Sequence, residues 1–135
     1  MPGMKLFGRN WFQKQAPADP AGGGDAGGAP VRHVDPAGAR AVLEGEEGVK
    51  VLDVRTPEEF AAGHLEGAVM VDFKGAGFRE GVDQLDRDTT WLVHCKAGGR
   101  SMAALPTLQE LGFERIVHLD GGYDAWAGSG LPTVR

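Results

Sequence analysis

Reactivity in this chain concentrates at His94-Cys95-Lys96-Ala97-Gly98-Gly99-Arg100-Ser101, where the only cysteine of the protein meets two glycines and two basic side chains. The segment reads as a buried strand, Trp91-Leu92-Val93-His94, running into a tight turn and then a helix that begins near Ser101. Glycines admit backbone conformations closed to residues with a Cβ. Successive N–H groups of such a turn can converge on one point, an anion-holding nest ahead of a helix N-terminus. A thiol placed there ionises more readily than a free one, with the helix dipole, Lys96 and Arg100 all favouring the thiolate. The plainer alternative is a structural thiol buried as a small apolar residue; the flanking Lys, Gly-Gly and Arg favour the reactive reading.

Other chemistries fit the sequence less well. His33, His64, His94 and His118 are scattered and read as ordinary polar or half-buried residues. His94 adjoins the cysteine, but neighbouring strand residues point to opposite faces, which argues against it as a base. Gly98-Gly99 and Gly121-Gly122 are not nucleotide loops, since no Gly-Lys-Ser/Thr follows them. No carboxylate pair or metal-ligand spacing stands out, and no metal or cofactor is expected. One cysteine excludes an internal disulfide and suits a reducing compartment, with the cytoplasm as the default.

The elements that must position the cysteine follow from alternating short apolar runs and helix signals. Val31–Val34 opens as a strand, and Asp35-Pro36 starts a helix as cap residue and first-turn proline. Val49–Val54 is β-branched and short, a buried central strand. Thr56-Pro57-Glu58-Glu59 carries the signature of a capping box for a brief helix that Gly63 stops. A strand over Ala68–Val71 and a weak helix near Phe78–Leu85 come next, before the strand that feeds Cys95. In the helix behind the turn, Met102, Leu105, Leu108 and Leu111 are spaced to face the sheet, and Pro106 should kink or loosen it. Arg115–Leu119 is the final strand, and Asp120–Trp126 leads into a closing helix. This alternation predicts an α/β fold: an open, mostly parallel five-stranded sheet flanked by helices on both faces. Ligands bind at the carboxyl ends of strands in such sheets, where Cys95 falls.

With 135 residues, 41% of them apolar, there is enough for one domain and a tail. Met4 to Lys14 forms a short basic and aromatic head, and Ala16 to Pro30 contains only Ala, Gly, Pro and Asp, the composition of a disordered linker. Residues 1–30 hold three basic and two acidic side chains (net +1), and 31–135 hold eleven and seventeen (net −6). The expected division is therefore a flexible head and linker over 1–30 and a folded domain over 31–135. The head lacks the apolar core of a secretory signal. It is either an unstructured tail or, if helical over residues 4–14, a weak contact for an anionic membrane surface or a partner. A formal net charge of −5 argues against nucleic acid as a partner, and no apolar run reaches the roughly 20 residues of a membrane span.

Residues 31–135 resemble a single rhodanese domain, the fold of thiosulfate sulfurtransferases. Four segments match in order: Leu52-Asp53-Val54-Arg55 with Pro57–Phe60 and Gly63–Ala68; the loop His94–Ser101; Leu111-Gly112-Phe113; and Asp120–Trp126. The resemblance implies that a Cys95 thiolate takes the outer sulfur of thiosulfate, releases sulfite, and passes the sulfur from its persulfide to a thiol or cyanide. In this reading Lys96, Ala97, Gly98, Gly99, Arg100 and Ser101 form the substrate loop, its amides holding the terminal sulfur, while Lys96 and Arg100 attract the anionic donor. Arg55 either lines the pocket mouth or forms an ion pair with Asp53 or Glu59, and Asp53 is architectural. The cysteine phosphatases of this fold need C-x5-R, whereas this chain has C-x4-R with Ser101 in the next position. The smaller ring suits a sulfane sulfur. The alternative within the same chemistry is a carrier or regulatory module that delivers its persulfide to a protein partner, with little turnover of free thiosulfate.

Overall fold

A computed structural model describes residues 30–135. The head and linker expected over residues 1–30 lie outside it, Pro30 excepted. Five strands form one sheet: β1 (Val31–Val34), β2 (Lys50–Asp53), β3 (Val69–Met70), β4 (Trp91–His94) and β5 (Ile116–Leu119). Their spatial order is β1-β5-β4-β2-β3, and every pairing is parallel. An antiparallel bridge between His64 and Val134 lies outside the sheet. The expected five-stranded α/β architecture is present, wholly parallel rather than mostly so.

Helices α1 (Pro36–Gly45), α2 (Pro57–Ala62), α3 (Phe78–Asp83) and α4 (Gly99–Glu110) fill the crossovers, and α5 (Gly122–Gly128) follows the last strand. Strand alternation splits the core in two. Leu52, Trp91, Val93 and Ile116 pack with Phe78 and Val82 of α3 and with Ala104, Leu105 and Leu108 of α4. On the other face Val51, Leu92 and Val117 pack with Ala39 and Val42 of α1 and Trp126 of α5. Burying each such Val, Leu or Ile stabilises the fold by about 1.5–3 kcal/mol relative to exposure. Strand β4 is buried along its whole length, so its carboxyl end is a rigid place from which to hang a loop.

The local signals are met in detail. Asp35 caps α1 by accepting from the Gly38 amide at 2.8 Å. The Thr56–Glu59 capping box closes at both ends, with Glu59 N–H donating to Thr56 Oγ1 (3.2 Å) and Thr56 N–H donating to Glu59 Oε1 (2.9 Å). One expectation is corrected. Met102 does not face the sheet but is 48% exposed. The buried stripe of α4 is Ser101, Ala104, Leu105 and Leu108, because the helix starts at Gly99 and turns Ser101 inward. Pro106 lies inside α4, which continues past it. The proline lies on the exposed side, where water can satisfy the carbonyl its missing N–H leaves free.

Candidate active site

Cys95 follows β4 directly and is 1% exposed. The loop after it wraps the sulfur. Gly98 sits at φ +118°, a left-handed conformation that side chains disfavour, and its N–H points at Cys95 Sγ from 3.1 Å. Ser101 Oγ lies 3.3 Å from the same sulfur. Burial pushes the thiol up, but hydrogen bonds from the Ser101 hydroxyl and from the Ser101, Gly98 and Ala97 amides outweigh it, leaving the pKa below the ordinary thiol value. The cup of inward amides read from the glycines is therefore present.

The loop keeps this shape because α5 holds its outer side. Tyr123 N–H donates to the Cys95 carbonyl (2.8 Å) and Asp124 N–H to the Lys96 carbonyl (2.9 Å). With these two carbonyls directed toward α5, the following amides are left to turn inward. The approach is too close for any side chain at Gly122, where a Cβ would come within 2.5 Å of the Cys95 oxygen and 2.6 Å of the Lys96 oxygen. Gly122 also sits at φ +63°, so two independent constraints require glycine there.

The basic residues of the loop are both paired. Lys96 Nζ contacts Asp124 Oδ2 at 2.8 Å, with both side chains about half exposed. Arg100 reaches back to α2, where its guanidinium binds both oxygens of Glu59 at 2.8 and 3.1 Å. Arg100 lowers the Glu59 carboxyl to about 2, against a smaller opposing effect of burial. The Arg100 guanidinium still feels the sulfur: a charge on Cys95 is among the effects that raise its own pKa. Of the two placements considered for Arg55, the ion pair is the one adopted. Its side chain is buried against Asp53 (Nη2–Oδ2 2.7 Å), donates to the Gly63 carbonyl (2.7 Å) and lies over the Tyr123 ring. Asp53, fully buried, anchors this cluster and accepts the Arg55 amide (3.0 Å).

The histidines divide sharply. His94 is fully buried, with Nδ1 on the Cys95 carbonyl (2.9 Å) rather than on the sulfur. Burial lowers its pKa, which keeps it neutral. His118 is not the ordinary polar residue that its sequence position suggests: its Nε2 lies 2.7 Å from Ser101 Oγ and its Nδ1 lies 2.7 Å from Asp120 Oδ1. The signal that reaches it is the spacing His118-x-Asp120 at a strand end, which puts both residues on one side, level with the cysteine loop. An open groove of about 430 Å³, lined by His33, Ala97–Gly99, Met102, His118, Asp120 and Gly121, borders this corner. Such a site can hold a small anion on main-chain amides and present a stabilised sulfur nucleophile to it.

Known proteins resemble this chain in sequence and in fold. The family model for the rhodanese-like domain matches residues 36–129. Thiosulfate sulfurtransferase 16, chloroplastic, from Arabidopsis thaliana is 42% identical over 96 residues, covering 64% of this chain and 80% of that protein. A sulfurtransferase from Allochromatium vinosum is 34% identical over 104 residues, 77% of this chain and 95% of its own. Among solved structures, a rhodanese-related protein from Thermoplasma volcanium superposes with a TM-score of 0.66 at 33% identity, covering 76% of this chain and 97% of that one.

Proposed function

From the premise that this chain belongs to the rhodanese-like domain family and is a sulfurtransferase, we propose that it moves a sulfane sulfur through a persulfide on Cys95. The observation that carries the reading is the sulfur's surroundings: a buried thiol in contact with the Gly98 amide and the Ser101 hydroxyl, ionising below its ordinary value despite burial. The thiolate attacks the outer sulfur of thiosulfate. The S–S bond of the donor breaks with its electron pair going to sulfite, and Cys95 becomes Cys–S–S⁻. An acceptor thiolate or cyanide then attacks the terminal sulfur and returns Cys95 as the thiolate. Charge is conserved in both steps. No general base is required once the nucleophile is already a thiolate, and the loop amides stabilise the terminal sulfur as an oxyanion hole would.

Arg100, close enough to respond to charge at the sulfur, draws the anionic donor toward the loop, with Lys96 a more distant contributor behind its pair with Asp124. An unpaired nucleophilic cysteine must stay reduced to work, which fits the cytoplasm. No helix among the described residues is long and apolar enough to cross a membrane.

The test is thiosulfate:cyanide transfer by wild type and Cys95→Ala. Thiocyanate formation by the wild type that falls to background in the variant supports the enzyme. A wild-type protein that gains the mass of one sulfur atom but turns over negligibly is a carrier that awaits a protein acceptor. A wild type that takes up no sulfur overturns both readings.

A further inference from the structure

Ser101 holds one hydroxyl proton among three acceptors, two of which, the sulfur and the imidazole, can change their charge. Its oxygen lies 3.3 Å from Cys95 Sγ and 2.7 Å from His118 Nε2, with the Gly98 carbonyl at 3.2 Å. A hydroxyl donates one hydrogen bond only. Asp120 decides how the imidazole is oriented electrically. Its Oδ1 also contacts His33 Nδ1 (3.0 Å), and the bonds to His33 and His118 hold the carboxylate ionised. An ionised carboxylate only accepts, so His118 Nδ1 keeps its hydrogen whether the ring is neutral or charged. The variable proton of His118 is therefore on Nε2, the atom that faces Ser101.

Two states follow. With Nε2 bare, the Ser101 proton goes to the nearer and stronger acceptor, the imidazole, and the sulfur loses a donor. With Nε2 protonated, the ring donates to Ser101 Oγ and the hydroxyl proton turns to the sulfur. We propose that His118, acting through Ser101, is a positioning residue that sets the ionisation of Cys95 and hence the pH range in which it transfers sulfur.

The charged and titratable groups around His118 are few. Asp120 follows it on the chain, His33 of β1 meets it ring edge to face at 5.3 Å, buried His94 of β4 lies close enough to feel its charge, and Cys95 lies beyond Ser101. Burial disfavours the imidazolium more than Asp120 favours it, so the ring is bare at neutral pH and competes there for the proton that the Ser101 hydroxyl otherwise gives to the sulfur. The more the imidazole draws that proton, the more the thiolate depends on the Ser101, Gly98 and Ala97 amides. Sequence spacing alone hides this coupling, because 23 positions separate Cys95 from His118 and only the β4–β5 pairing brings them together.

This inference rests on Cys95 being the nucleophile, but its test needs no sulfur donor, so the two readings fail separately. Iodoacetamide alkylation of Cys95 is followed against pH in wild type and in His118→Asn. The asparagine amide replaces Nδ1–H toward Asp120 and supplies nothing at Nε2. The wild-type profile should rise in two steps; the variant should show a single titration and alkylate about fivefold faster at neutral pH, because the Ser101 proton returns to the sulfur. Superimposable profiles overturn the proposal. A second measurement guards against a variant that fails to fold. The His118 imidazole, titrated by NMR, should move down by about half a pH unit in Cys95→Ala, and that shift should vanish when Ser101→Ala is already present. A midpoint indifferent to Cys95, or a shift that survives without Ser101, overturns the relay.

Discussion

Two polar clusters flank the carboxyl end of β4, and they are built on opposite principles. On the β2 side, Asp53 and Arg55 form a buried ion pair closed by the Gly63 carbonyl and the Tyr123 ring. The guanidinium donates there to a fixed set of acceptors, the two Asp53 oxygens and the Gly63 carbonyl. On the β5 side, Cys95, Ser101, His118 and Asp120 form a chain in which one hydroxyl proton has a choice. The first cluster resists change because moving any member strands a buried charge. The second tolerates a change of proton position because no net charge leaves it. Architecture and reactivity are thus separated across a single strand.

The comparison is broken most forcefully on the rigid side. Arg55→Met strands a fully buried carboxylate and should cost about 3–5 kcal/mol of stability, seen as a lower urea midpoint at unchanged slope. A loss under ~1 kcal/mol would mean Asp53 finds another partner, and the contrast between the clusters would fail.

The Arg100–Glu59 pair sharpens the contrast at smaller scale, since it is partly exposed and titrates within reach. Glu59 is lowered to about 2 in the fold from an ordinary 4.5. Its contribution is therefore complete above pH 4.5 and is lost as pH falls toward 2. Glu59→Gln should destabilise by about 1–2 kcal/mol at neutral pH, after allowance for solvent screening. The gap from wild type should narrow between pH 4.5 and 2 in denaturation series. A gap independent of pH would assign the cost to the lost capping box rather than to the charge.

The smallest effect belongs to Lys96. Its half-exposed pair with Asp124 limits what its removal can do, and Lys96→Ala should raise the thiosulfate KM less than about threefold, with kcat retained. A tenfold rise would show that the lysine leaves Asp124 for the donor.

What was legible in the sequence and what was not divide along the same line. The helix starts at Asp35 and Thr56, the buried strand β4 and the glycine turn after Cys95 all depend on neighbours within a few positions, and the residue types announce them; the brace that α5 gives that turn does not. The sequence places Asp53 within reach of Arg55, but the contacts that hold the guanidinium inward, on Gly63 and under Tyr123, come from other elements. Met102 was turned the wrong way because helix periodicity specifies which residues share a face but not where that face begins. The phase was set by Ser101, drawn inward by its contacts to Cys95 and His118. His118 itself, read as ordinary, acquires its partners only through the register of β5 against β4 and its position behind α4. Local chemistry can be read from a string, whereas a hydrogen bond across three elements exists only once they are assembled.

Gly122 gives that dependence an order in time. Translation delivers Cys95 before the residues whose amides hold the loop carbonyls outward. Until the segment from Gly122 to Asp124 arrives and docks, nothing secures the loop around the sulfur, and the cysteine on a growing chain has the sluggish chemistry of any free thiol. The proposed nucleophile is thus armed only after most of the fold that must protect it has been made.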